Sequence, residues 1–164
     1  MQQQFELTTS PSKIIFGDGA MQQTATIVKE LGCARALILS TPQQADLAKQ
    51  IQADIGKLAV GIYTSATMHT PFNVTEDALA LFNDLDADVT IAVGGGSTTG
   101  LGKALSLRTG KPQIVIPTTY AGSEVTPILG QTENGIKTTV KDAKILPDVV
   151  LYDPLLNYGF PQSM

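Results

Sequence analysis

Residues 90–104 read TIAVGGGSTTGLGKA. An apolar run stops at three consecutive glycines, and Ser97, Thr98 and Thr99 then lead into a helix-compatible segment. This is the pattern of a buried strand turning directly into a helix. Residues without a Cβ let a ligand approach the backbone, and a helix N-terminus offers unpaired amides and hydroxyl-bearing neighbours to an anion. Two readings stay open on these residues: the turn cradles a phosphate, or glycine only permits a tight bend. Two standard phosphate motifs fail. A P-loop needs glycine where Ser97 stands and a hydroxyl residue where Ala104 stands. The dinucleotide fingerprint G-x-G-x-x-G fits Gly94 and Gly96 but meets Thr99 at its third glycine, and residues 113–120 lack the acid it calls for.

Outward from this turn, short apolar runs alternate with amphipathic ones. Residues 35–40 (RALILS) form a buried-strand run, after which Ser40 or Thr41 is placed to cap a helix with Pro42 at its first position. Leu47, Ile51 and Ile55 recur every fourth residue, and Gly56 ends that helix. Residues 58–63 form the next strand, and Asn73 and Glu76 have capping-box spacing. Val74, Ala78, Leu81, Phe82 and Leu85 make a second helical stripe. A strand over 89–93, a helix over 98–107 stopped by Gly110 and Pro112, and a strand over 113–116 follow. This rhythm predicts an α/β fold: a Rossmann-like, open, mainly parallel sheet with helices on both faces. Residues 128–132 and 136–140 flank Glu133-Asn134-Gly135, which predicts an added β-hairpin, and residues 149–152 form a last strand.

The loop over 118–126 follows the strand after the glycine turn, so it belongs on the same sheet edge. Thr118, Thr119 and Ser123 bring further hydroxyls there. Two such loops on neighbouring strand ends favour a cleft over two separate capping arrangements. Elsewhere the chemistry is sparse. His69 is the only histidine and Cys33 the only cysteine, so a three-histidine zinc site and an internal disulfide are excluded. His69 reads as a structural or solvent-facing loop residue, Cys33 as a small core residue, Glu124 as a capping or hydrogen-bonding group, and Asp148 and Asp153 as isolated acids. A net charge of -4 and no basic stripe argue against a nucleic-acid partner. No apolar run approaches bilayer length and no secretory leader is visible, so a membrane partner is not expected and a cytoplasmic location is.

Three segments in order, GGGSTTGLGKA (94–104), PTTYAGSEVTP (117–127) and LPDVVLYDP (146–154), resemble the iron-containing alcohol dehydrogenase superfamily. With TENGIKTT (132–139) and LSTPQQ (39–44), the chain is most similar to its maleylacetate reductase branch. The resemblance implies that residues 1–164 form a dinucleotide-binding domain for NADH or NADPH. It implies that Gly94, Gly95, Gly96 and Ser97 contact the cofactor diphosphate. Thr118 and Thr119 would lie along the adenosine and diphosphate portion, with Ser123 beside them. Lys137, ten positions before Pro147, would approach the nicotinamide ribose.

Two departures carry meaning within the resemblance. Gly100 stands where many metal-dependent members carry aspartate, which suits the reductase branch. Thr41 stands where NAD-selective members carry an aspartate that repels a 2′-phosphate, so weak discrimination between NADH and NADPH is expected. The implied reaction is reduction of the C=C bond of maleylacetate to 3-oxoadipate, in aromatic compound degradation, on a small dicarboxylate substrate. Family members continue into an all-α domain carrying the metal ligands and substrate pocket. This sequence stops near its expected start, so no metal ligand is assigned, the catalytic residues are unassigned, and the chain alone is expected to be inactive. Exposed apolar surface then predicts association, a homodimer being its simplest form. The rival readings are a non-catalytic nucleotide-binding module, another member of the alcohol dehydrogenase family, or a sugar-cyclising lyase that uses the nucleotide transiently.

Overall fold

The computed structural model describes residues 12–158. Six strands form one parallel sheet: β1 (Lys13–Phe16), β2 (Ala36–Leu39), β3 (Ala59–Tyr63), β4 (Val89–Gly94), β5 (Gln113–Pro117) and, skipping the hairpin, β8 (Val149–Tyr152). Across the sheet their order is β1-β8-β5-β4-β2-β3. The hairpin strands β6 (Ile128–Glu133) and β7 (Ile136–Lys141) pair antiparallel in a separate sheet. The turn residues Asn134 and Gly135 have φ of 51 and 76, the left-handed pair that a two-residue hairpin loop requires.

Each strand's alternation assigns its side chains to a layer. Ile38 of β2 and Ile91 and Val93 of β4 face α1 (Thr24–Glu30) and α2 (Ala45–Ile55), packing on Val28 and Ile51. Leu37, Leu39 and Ala92 face the opposite way, onto α3 (Phe72–Asp84) and α4 (Gly96–Thr109), where Phe82, Leu101 and Leu105 close the second core. Helix α4 is buried from Thr98 to Ser106 although it has no apolar stripe. The reason is a third layer: Ala104 on its outer side packs with Leu129 of the hairpin and Ile145. Gly102 lets α4 approach β4 closely, since a Cβ there would lie 3.4 Å from that of Ala92.

Several local expectations give way. Pro71, not Asn73, occupies the N-cap of α3, and its carbonyl accepts from Thr75 N (3.1 Å) and Thr75 Oγ1 (3.2 Å). Asn73 is therefore already helical, and the capping box does not form. Thr41 makes no side-chain cap bond; Pro42–Gln44 forms a 3-10 turn and α2 begins at Ala45. The glycine run is shorter as a turn than its sequence suggests, because α4 begins at Gly96 with Gly95 as its N-cap. Strand β1 and helix α1 lie in a stretch with no clear period. β1 is four residues long and largely exposed, and its pairing with β8 rests on backbone rather than on pattern.

Candidate functional site

The strand order reverses between β2 and β4: the chain leaves β2 toward β3 on one side and returns to build β4 and β5 on the other. Ligands of open parallel sheets bind in the crevice outside the carboxyl ends of the strands at such a point. Leu39 pairs with Ala92, so Thr41, two residues on, leaves β2 level with Gly94 at the end of β4. Pro117 pairs with Gly94, which brings Thr118 alongside the glycine run. Thr118 N donates to the Gly94 carbonyl at 2.9 Å.

Each glycine has its own steric cause. Gly94 has φ 142, and a Cβ there would collide with the Thr98 hydroxyl. At Gly95 a Cβ would lie 3.1 Å from Thr119 Oγ1, so this hydroxyl leans directly on the bare backbone. At Gly96 a Cβ would meet nothing within 4 Å. The amides of Gly96, Ser97 and Thr98 open the helix and have no intrahelical acceptor. They sit at the positive end of a fourteen-residue helix, Gly96 exposed, Ser97 half-buried and Thr98 buried.

The structure sorts the hydroxyls. Thr98 Oγ1 and Thr99 Oγ1 donate back to the Gly95 carbonyl at 3.1 and 3.2 Å, which also accepts Thr99 N. They hold the cap and are not free donors toward the crevice. Ser97 is half-buried beside the open space, and Thr119 is half-buried on its flank. Ser123 is drawn away: its Oγ accepts from Lys103 Nζ at 3.2 Å. Glu124 is buried and accepts the Tyr152 hydroxyl at 2.8 Å. Burial, reinforced by that bond, lifts the Tyr152 phenol above its ordinary range.

The other flank comes from the loop after β3. His69 and Thr70 both have positive φ, 66 and 45, at a cost of about 1–2 kcal/mol each for residues with a Cβ. The Thr70 carbonyl accepts Thr132 N at 3.4 Å, and Pro71 bridges to Thr132, which fixes the loop against the hairpin. The Thr70 hydroxyl fills the place where a side chain at 100 would begin. Lys137 is the cross-strand partner of Thr132 and is exposed, with its stem over Gly130. It therefore shares the hairpin that abuts α4 without touching the glycine run. His69 is exposed, as read.

Lys103 is the residue that sequence reasoning misses. It is fully buried, and burial pulls its ammonium down to about 8 while Glu124 opposes the fall. A helix without an apolar stripe, set between strongly apolar strands, was the available signal that its lysine lies inside. Asp153 is likewise buried and not isolated: its carboxylate accepts the amides of Gly19, Met21 and Leu155. Among the described residues no three His, Cys, Asp or Glu side chains converge as a metal donor set, and no helix is long and apolar enough to cross a membrane. A cleft of about 480 Å³ lies at the far end of α4, by Phe82, Asp86, Arg108 and Lys111, where the helix presents carbonyls instead of amides.

Known proteins share this arrangement. The chain is 55% identical over 159 residues to maleylacetate reductase from Rhizobium sp. (strain MTP-10005), covering 97% of this chain and 45% of that protein. The crystal structure of maleylacetate reductase from Agrobacterium tumefaciens superposes with a TM-score of 0.92 at 52% identity, over 98% of this chain and 46% of that one. The fold alone extends to sulfoacetaldehyde reductase from Bifidobacterium kashiwanohense, solved in complex with NAD+, with a TM-score of 0.86 at 22% identity over 97% of this chain and 49% of that one. The chain thus spans less than half the length of the curated relatives it matches. The model of the iron-containing alcohol dehydrogenase family matches residues 11–154. With the crevice, the switch point and these likenesses in agreement, the chain belongs to the iron-containing alcohol dehydrogenase family.

Proposed function

We propose that this chain binds NADH or NADPH as the cofactor-binding part of a maleylacetate reductase, acting on a small dicarboxylate in the cytoplasm as part of aromatic compound degradation. One observation carries the cofactor reading: α4 starts with amides that have no intrahelical acceptor, the first of them at exposed Gly96, at the carboxyl end of β4 and next to the switch point. A pyrophosphate matches that site in charge and in hydrogen-bond demand. The maleylacetate reading is supported by the relatives' 55% and 52% identity over nearly the whole chain.

The residues divide the work as follows. The amides of Gly96, Ser97 and Thr98 take the diphosphate oxygens, with the Ser97 hydroxyl beside them. Thr118 and Thr119 hold the loop along the adenosine half. Thr41, uncharged after β2, leaves a ribose 2′-position without a repelling carboxylate. Lys137 on the hairpin reaches toward the nicotinamide ribose. The bound nicotinamide supplies the hydride for reduction of the substrate's C=C bond. What this chain contributes is the donor's orientation: contact geometry carries much of the barrier reduction in transfers of this kind. The metal of the family name finds no donor set among the described residues.

The test is a titration with NADH followed by nicotinamide fluorescence, with Gly95→Asp as the comparison. The variant sets a carboxylate against Thr119 and beside the diphosphate, so binding should weaken by about tenfold or more. Equal affinity in the variant removes the glycine turn from the site.

A further inference from the structure

Lys103 lies seven residues after Gly96, nearly two helical turns, on the same face of α4 and about 10 Å along its axis. Its ammonium uses all three protons. It donates to Ser123 Oγ at 3.2 Å, Thr126 Oγ1 at 3.0 Å and the Ile128 carbonyl at 2.9 Å. All three acceptors are neutral. The nearby carboxylate of Glu124 is engaged by the Tyr152 hydroxyl. Burying an ammonium among neutral acceptors costs stability that three hydrogen bonds have to offset. What the cation achieves is geometric.

The segment between β5 and β6 is tied down at both ends, first to the end of β4 and then to α4. Thr118 N is fixed to the Gly94 carbonyl just before the helix, and Ser123, Thr126 and Ile128 are fixed to Lys103 two turns further on. Between those anchors Thr119 leans on Gly95, and Tyr120 stands exposed with its hydroxyl accepting from Asn157 Nδ2. A loop held at one end on β4 and at the other on α4 keeps its hydroxyls in register with the first amides of the helix before any ligand arrives. That lowers the ordering cost of binding.

We propose that Lys103 is a positioning residue of the cofactor crevice: its buried ammonium clamps the 118–128 segment onto α4 and thereby sets Thr118 and Thr119 against the amides of Gly96, Ser97 and Thr98. The proposal rests on the dinucleotide reading above. Lys103 touches no ligand itself; it acts through the loop.

The experiment compares the parent chain with Lys103→Met, Lys103→Arg and the double variant Ser123→Ala/Thr126→Val, which keeps the lysine and removes two acceptors. Two quantities are read: the NADH dissociation constant by nicotinamide fluorescence, and amide hydrogen exchange over residues 118–128 against that of β4 and β5. Lys103→Met should bind NADH about tenfold more weakly, with faster exchange in the segment and unchanged protection in the two strands. Lys103→Arg, which keeps a cation, should recover part of both. The double variant should fall between Lys103→Met and the parent, and it decides the question on the same two readings where Lys103→Met does not fold. A parent and Lys103→Met that bind NADH equally, or a weaker-binding variant whose 118–128 exchange is unchanged, overturns the clamp. A parent that binds no NADH overturns the dinucleotide reading itself.

Discussion

Replacing Gly96 by alanine separates folding from binding at this site. Gly96 is the first residue of α4, is exposed, and has no atom within 4 Å of where a Cβ would stand. In the free protein the methyl group meets nothing, and alanine reduces the freedom of the unfolded chain. The folded state should gain about 0.4–1 kcal/mol, a rise in Tm of roughly 1–3 °C for a domain of this size. The bound state should lose. A diphosphate oxygen bonded to these amides at about 2.9 Å has to occupy the space the methyl enters. Losing one charge-assisted hydrogen bond costs about 1.5–3 kcal/mol, or roughly ten- to a hundredfold in Kd. Thermal melts and NADH fluorescence titrations on parent and variant give both numbers. An alanine variant that is at least as stable as the parent and binds NADH with equal affinity would refute the reasoning, because the space over Gly96 would then not be where the cofactor lies.

Three further outcomes follow from particular contacts. Gly100→Asp drives a side chain into Thr70 and buries a carboxylate, so urea unfolding should show a loss of about 2–4 kcal/mol; a change below about 0.5 kcal/mol would contradict the packing. With Thr41 uncharged after β2, the Kd values for NADH and NADPH should lie within about a hundredfold of each other, and a wider gap would count against that reading. The third outcome concerns pH. The Lys103 ammonium sits at about 8 in the folded chain, against 10.5 when unperturbed, so between those values the unfolded chain binds a proton that the folded chain does not. The penalty for burying the ammonium is therefore fully present below about 8 and lifts as pH rises toward 10.5, so this group's contribution to stability increases across that window. NADH affinity should move the other way, since the neutral amine has two protons for three acceptors. Among the facing groups, the Tyr152 phenol, held above its ordinary range by burial and by its bond to Glu124, stays protonated. The Cys33 thiol, raised mainly by burial, contributes with opposite sign, so the measurement is the difference between parent and Lys103→Met over pH 7.5–10.5. A difference that is flat with pH contradicts the assignment.

The fold was legible wherever a local pattern had one structural outcome. The apolar runs of β2, β4 and β5 are buried on both faces, as unbroken runs between helices require. Asn134-Gly135 has one comfortable geometry between paired strands and adopts it. What was not legible depends on neighbours distant in sequence. Asn73 had the spacing of a cap, but Pro71, restrained by the bridge to Thr132, starts the helix first. Ser123 sits among hydroxyl residues and reads as a ligand contact, yet its partner is a lysine twenty positions earlier. The burial of Lys103 depends on the hairpin that covers α4, a layer that the residues of the helix do not announce. Within the site, the floor of glycines and the flank at Thr119 followed from residue type. The flank at Thr70 did not, because a β-branched residue in the left-handed region runs against sequence preference.

The most direct measurement is a backbone amide spectrum of the isotopically labelled chain titrated with NADH. The largest, saturable shifts should fall on Gly95, Gly96, Ser97 and Thr98, with a second group on Thr118 and Thr119. Saturable shifts confined to other residues, with those six amides unmoved, would contradict the cofactor reading.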